Sequence, residues 1–269
     1  RRLAAAVEGA RAAGRLVLAF FRRGIPARAK GRLDVVTEAD RRSERFLRRF
    51  LLGRFPRDRF LGEEYGEAGA KGRRAGTSPR RWAVDPLDGT INFLHGHPFF
   101  AVSVAFVDAA GPLVGAIEAP ALGWSYAAAR GHGATRNGEL LRVSTTRSLD
   151  RALIGTGWPP GGRAPLEPAV APLADVLRRT HGARRCGSAA LDLALTAEGT
   201  YDAYFEAALH TWDVAAGILL VREAGGRVTD YDGRDADASG REVLASNGLV
   251  HEALRSIVMR GSGGATRDR

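Results

Sequence analysis

The 269-residue chain has a single cysteine, Cys186, so no intrachain disulfide is open to it. That fits a reducing compartment, and a cytoplasmic location is the expectation. No apolar run has membrane-spanning length. The stretch from Leu3 to Phe21 is broken by Glu8, Arg11 and Arg15 and reads as an amphipathic helix. It also lacks the compact apolar centre and small-residue cleavage site of a secretory signal. Internal repeats and long linkers are missing. Several familiar signatures are incomplete: His251-Glu252 has no second histidine, and Gly66 to Gly72 has no Gly-Lys-Ser/Thr ending. His95-Gly-His97 has no third imidazole nearby and reads as a loop rather than a metal clip.

Lysine is nearly absent too, at Lys30 and Lys71 only, so arginine carries almost all of a net charge of +10. The arginines are spread in pairs such as Arg22-Arg23, Arg41-Arg42, Arg48-Arg49 and Arg178-Arg179. That distribution suits solvated helix faces better than a nucleic-acid stripe. A positive field would still draw in an anionic small molecule.

Apolar spacing predicts a first helix over 2–23, with Leu3, Val7, Leu16, Val17, Phe20 and Phe21 on its buried side. A second starts near Thr37 and runs through Leu51. Strands are expected at Trp82–Asp85, Phe99–Val107, Leu113–Glu118 and Trp124–Ala129, joined by Gly and Pro turns. Beyond Leu149 the pattern alternates. Strands at Ala152–Gly155, Tyr201–Phe205 and Arg227–Asp230 are interleaved with helices at Ala169–Arg179, Ala189–Ala197 and Val214–Glu223, and a last helix spans Leu249–Val258. The expectation is an α+β half over 1–148 and an α/β half over 149–269, forming one compact unit. The Gly- and Arg-rich stretch 68–79 is expected to be an exposed loop, and 261–269 a tail without packing residues.

The chemistry centres on Val84-Asp-Pro-Leu-Asp-Gly-Thr-Ile-Asn-Phe93. Pro86 holds Asp85 extended, Gly89 permits a tight turn, and Thr90 to Phe93 can start a helix whose free N–H groups suit an anion. Two carboxylates beside such a start suit a divalent cation bridging to phosphate. An Asp-Pro turn with Asp88 as a plain cap is the structural alternative. Leu61-Gly62-Glu63-Glu64 also reads as a solvated acidic loop, Thr37 with Asp40 as a capping box, and Asp213 as a helix N-cap. Cys186 reads as a packing residue whose thiol nearby carboxylates would hold protonated.

Taken together, DVVTEAD (34–40), GEE (62–64), WAVDPLDGTINF (82–93) and WDVAAGILLVREAGG (212–226) resemble the inositol monophosphatase family of metal-dependent, lithium-sensitive phosphatases. GHGATRNGELLRVS (131–144) and CGSAALDLALTAEGTYDAYFE (186–206) support the match. The resemblance implies a layered α/β/α/β/α sandwich of the sugar-phosphatase type, two or three Mg²⁺ per site and commonly a homodimer. It puts metal ligands at Glu63, Asp85, Asp88, Asp213 and the Leu87 carbonyl. Glu64, Asp40 and Thr90 would complete the catalytic surround, and phosphate would lie against Gly89 and Thr90. Substrate hydroxyls would meet Asp88, Gly187, Ser188, Ala189, Glu206 and Asp213. The segment 157–168 would shape access.

The expected reaction is hydrolysis of myo-inositol 1-phosphate by a metal-activated water oriented by Glu63 and the Thr90–Asp40 pair. Related esters are the alternatives: fructose 1,6-bisphosphate, histidinol phosphate, NADP or 3′-phosphoadenosine 5′-phosphate. The ending Thr90-Ile91-Asn92-Phe93 is similar to the inositol type. A different class of function is an RNA- or transcription-machinery-binding factor that uses the arginine surface.

Overall fold

The computed structural model describes residues 1–24, 27–29, 35–68, 80–158 and 170–262. Asp34, the expected loop at 69–79, most of the access segment (159–168) and the tail at 263–269 lie outside the described residues. Among the described residues, no helix is long and apolar enough to cross a membrane.

The first helix, α1 (Arg2–Arg23), has the expected bounds, and Leu3, Val7, Val17, Phe20 and Phe21 of its expected apolar side pack into or against the core. Its buried stripe is Ala5, Ala6, Gly9, Ala10, Ala13, Gly14 and Val17, while Leu3, Val7, Phe20 and Phe21 are half-buried at its edges. Small residues let the backbone sit close: a Cβ on Gly9 would lie 3.3 Å from Leu47 and Phe50 of the next helix. That helix, α2 (Glu38–Arg54), opens on a capping box. Thr37 Oγ1 accepts the Ala39 N–H, and the Thr37 N–H returns to Asp40 Oδ2 at 2.9 Å.

Eight strands form the larger sheet. In spatial order they are β10 (Glu139–Leu140), β9 (Ala134–Arg136), β8 (Trp124–Ala129), β7 (Gly111–Ala119), β6 (Ala101–Asp108), β5 (Arg81–Asp88), β3 (Arg59–Gly62) and β4 (Gly66–Ala68). All neighbours run antiparallel except β3 and β5, which pair parallel with Gly62 opposite Val84. Consequently Glu63, the first residue past β3, and Asp85, the next residue along β5, lie side by side. A small antiparallel pair, β1 (Ala27–Ala29) and β2 (Val35–Thr37), precedes α2.

The second sheet is β12 (Gly182–Arg184), β11 (Leu153–Thr156), β13 (Ala203–Ala207), β15 (Glu242–Ser246) and β14 (Arg227–Thr229). Its first three strands run parallel and the last two antiparallel to their neighbours. Between the sheets lie α5 (Ala189–Ala197) and α6 (Thr211–Glu223), inside the largest apolar cluster. Close approach again rests on glycine: a Cβ on Gly115 would meet Ala216 at 2.9 Å, and one on Gly217 would meet Leu193 at 2.5 Å. α1 and α2 cover the outer face of the large sheet. α4 (Leu173–Arg179) and α7 (His251–Ser262) cover that of the small one, around Ile154, Phe205, Leu244 and Leu254. The remaining short helix, α3 (Thr90–Leu94), follows β5. The layers are α/β/α/β/α, as the family resemblance implied.

Candidate active site

β5 is a central strand that contains a proline. Pro86 has no N–H to give the ladder, and the pairing with β6 shifts there: Asp85 faces Ser103, but Asp88 faces Ala101. Side chains three apart on a regular strand point to opposite faces. The irregularity adds one residue, and Asp85 and Asp88 both line one cleft. Gly89 follows at φ 90°, and a Cβ there would lie 3.0 Å from the Phe99 carbonyl, so only glycine fits the turn into α3. The N-cap is therefore Gly89, and Asp88 is released from capping.

Asp85 and Asp213 accept from their own turns, and Asp88 from a distant segment. Asp85 Oδ1 accepts the Leu87 N–H at 2.9 Å. Asp88 Oδ2 accepts the Ser188 hydroxyl and the Ala190 N–H, both at 2.7 Å, from the start of α5. Asp213 is the third residue of α6 rather than its cap, and its Oδ2 accepts the His210 N–H at 2.7 Å. Ser103, the cross-strand partner of Asp85, donates to the Trp212 carbonyl at 3.2 Å and so ties the start of α6 to the sheet. Asn92 Nδ2 donates to the carbonyls of Phe99 and Cys186, both at 2.7 Å, joining the two halves beside the cleft.

Most of the expected residues meet here. Glu63, Asp85, Leu87, Asp88, Gly89 and Thr90 line the cleft from the first half. Gly187, Ser188, Ala189, Glu206 and Asp213 line it from the second. Asp40 stands behind, buried, where its Oδ1 accepts the Thr90 hydroxyl at 3.1 Å; that hydroxyl also lies 3.0 Å from the Leu87 carbonyl. Glu64 sits in the turn after β3 and is not a lining residue.

Crowding shows in the proton affinities. Burial, then the charges of Glu63, Asp88 and Asp213, push Asp85 well above the carboxylate range. Asp213 is pushed up by burial, then by Glu63 and Asp88. Burial takes Asp88 to about 6 despite the Ser188 and Ala190 donors. Glu206 reaches about 7 through burial, against the Tyr204 hydroxyl and Arg185. Such a set of oxygen donors is tolerable as anions only beside cations, and hard divalent ions suit it. Among the described residues, no three His, Cys, Asp or Glu side chains already converge as a ligand shell on one point.

The sequence reading missed Ser43, Glu44, Arg185 and Asp192, while Trp158 belongs to the segment expected to shape access. Trp158 and Arg185 form one wall, the guanidinium 5.0 Å from the indole ring. Asp192 is buried behind Glu206, and its Oδ1 has no hydrogen-bond partner. A signal existed for Glu44: Asp40, Ser43, Glu44, Leu47 and Leu51 share one helical stripe, and all are buried. Cys186 is not part of the carboxylate cluster. Its thiol is pushed up first by burial and only then by Asp192, and it lies 3.3 Å from the Tyr201 hydroxyl.

Comparison with known proteins places this geometry. The model of the inositol monophosphatase family matches residues 1–260. An inositol-1-monophosphatase of Rhizobium meliloti is 43% identical over 232 residues, covering 86% of this chain and 85% of that protein. A putative Nus factor SuhB of Neisseria meningitidis serogroup B is 38% identical over 255 residues, covering 94% and 96%. The crystal structure of the extragenic suppressor protein suhB of Bartonella henselae superposes with a TM-score of 0.87 at 37% identity, covering 96% of this chain and 98% of that one.

Proposed function

The chain belongs to the inositol monophosphatase family, and on that premise we propose that it hydrolyses myo-inositol 1-phosphate to inositol and phosphate with Mg²⁺. The family makes it a phosphatase and metal-dependent, generally on Mg²⁺; the inositol ester is the finer reading. One observation carries that reading: Glu63, Asp85, Asp88 and Asp213 line a single cleft, with the Asp40–Thr90 pair behind it.

When bound, two or three Mg²⁺ ions would supply neutralising charge, Lewis-acid polarisation of the ester and acidification of a water. Glu63, Asp85, Asp88 and Asp213, with the Leu87 carbonyl, would hold them. Glu63 would orient the attacking water, and Thr90 would accept its proton while passing its own to Asp40, with Glu64 completing the surround. Backbone amides at Gly89 and Thr90 would face the phosphate oxygens. Asp88, Asp213, Glu206 and Gly187 to Ala189 would meet the ring hydroxyls. A homodimer inhibited by lithium completes the proposal.

Phosphate release tests it, with Mg²⁺, across myo-inositol 1-phosphate, fructose 1,6-bisphosphate, histidinol phosphate, NADP and 3′-phosphoadenosine 5′-phosphate. The highest kcat/KM on the inositol ester supports the reading, and a clear preference for another ester replaces it. The relative named as a Nus factor favours a second reading, in which the exterior binds RNA or transcription proteins. Many arginines are already committed to acids, among them Arg54 to Glu8 and Arg130 to Asp108. Salt-sensitive RNA retention that survives loss of the cleft carboxylates would support that second role.

A further inference from the structure

We propose that Glu44, with Ser43 beside it, is a positioning residue that aims Glu63 into the cleft; the inference rests on the phosphatase reading above. The inner face of α2 sends three consecutive polar contacts to three parts of the site. Asp40 accepts the Thr90 hydroxyl, and Ser43 Oγ donates to the Pro86 carbonyl at 2.9 Å, within the shifted stretch of β5. Glu44 Oε2 accepts the Glu64 N–H at 2.7 Å, and Oε1 accepts the Tyr65 N–H at 3.0 Å. Both amides immediately follow Glu63, so the turn that carries it is pinned by one side chain.

Stability alone does not account for a carboxylate at this place. Glu44 is fully buried, and the same helical stripe continues with Leu47 and Leu51, which bury apolar surface. A carboxylate here gives up its hydration and stands near Glu63 and Glu64, both of which repel it. What it supplies is a two-pronged acceptor for consecutive amides, which no apolar residue provides. Gly62 fits the same account. Its φ is not in the left-handed region, so flexibility does not explain it; a Cβ there would lie 2.2 Å from Glu44 Oε1 and 2.4 Å from its Cδ. The glycine makes room for the carboxylate. The Gly-Glu-Glu run is thus one half of a device whose other half is Glu44.

The test compares full-length wild type with Glu44→Gln, Glu44→Ala, Gly62→Ala, the Glu44→Ala/Gly62→Ala double variant and Leu47→Ala. Mg²⁺ affinity is read by calorimetry, melting temperature by circular dichroism, and kcat and KM by phosphate release. Partners that orient ligand groups typically contribute about 10- to 100-fold. We expect Glu44→Gln and Glu44→Ala to weaken Mg²⁺ binding and lower kcat by about that range, with substrate KM at saturating Mg²⁺ little changed. In the double variant the methyl fills vacated space, so melting recovers relative to Gly62→Ala while Mg²⁺ affinity does not. Leu47→Ala should lower the melting temperature and leave Mg²⁺ affinity near wild type. Wild-type affinity and kcat in Glu44→Ala would overturn the positioning role, as would an equal loss of affinity in Leu47→Ala. If the wild type itself takes up no Mg²⁺, the phosphatase reading fails and the inference with it, an outcome distinct from a variant-specific null.

Discussion

Carboxylates behave in opposite ways at the perimeter and in the cleft. At the perimeter several meet arginine. Glu8 is held below its usual range by its hydrogen bond to Arg54, Glu38 by Arg42, and Glu252 by Arg255. In the cleft, Asp85, Asp88 and Asp213 are held by backbone amides and a hydroxyl, and all are pushed up. Among the described residues, a chain this rich in arginine places one guanidinium, Arg185, in the cleft's lining. The difference teaches that the cleft's charge is left for something the protein does not itself contain. An ion pair to arginine would satisfy these acids and spoil them for that purpose.

The largest effect is expected from a charge removed inside the cleft. Asp88→Asn keeps the size of the side chain and its place between Ser188 and Ala190, but removes a charge. Phosphate release should fall about a thousandfold, several kcal/mol of charge stabilisation, while the melting temperature stays close to wild type. Wild-type-like turnover would break the contrast.

Second comes the response to the cation. At Mg²⁺ about a hundredfold above its dissociation constant, the folded state should gain about 2.7 kcal/mol, visible as a rise in melting temperature. Asp213→Asn should shrink that rise, and a perimeter change such as Glu252→Gln should not.

Third is pH. Glu206 is raised from 4.5 to about 7, so the folded protein holds this proton more tightly than the unfolded chain does. Its stabilising contribution is complete below about pH 4.5 and is lost as pH rises toward 7, at no more than about 1.4 kcal/mol per unit. Without Mg²⁺, melting measured from pH 4.5 to 7 should therefore fall, and less steeply in Glu206→Gln. His251 supplies the opposite sign. Buried between Ser246 and Thr229, it is pushed down from 6.5 to about 4, so its contribution is present above 6.5 and lost as pH falls. The smallest effect belongs to the perimeter itself. Arg54→Ala breaks a two-pronged pair with Glu8, yet both groups are exposed, and neither melting nor activity should change measurably.

Much of this arrangement was legible before any coordinates. α1, β8 and α5 have the bounds that apolar spacing assigned, because each is a long or clean pattern ended by glycine, arginine or a cap. β3 and β15 went unread: Arg59–Gly62 is four residues beside arginines, and Glu242–Ser246 follows a Gly- and Asp-rich run without a period of its own. The aspartates were legible as a motif, but their common direction was not. It depends on the shifted pairing at Pro86, which exists only once β6 is in place. Glu44 was harder still. In Asp40-Arg-Arg-Ser-Glu44-Arg it looks like one more charge on a solvated face, and only its helical spacing to Leu47 and Leu51 signals that it points inward.

Asn92 has a consequence for how a ligand enters and leaves. Its amide group gives both hydrogens to carbonyls on opposite sides of the seam, Phe99 and Cys186. A clamshell motion that parted the halves at this point would break the bond to Cys186 and strand that carbonyl, while the bond to Phe99 within the first half would hold. The base of the cleft therefore carries a tie, worth about 1 kcal/mol, that any such opening has to break and that a motion confined to the rim leaves alone.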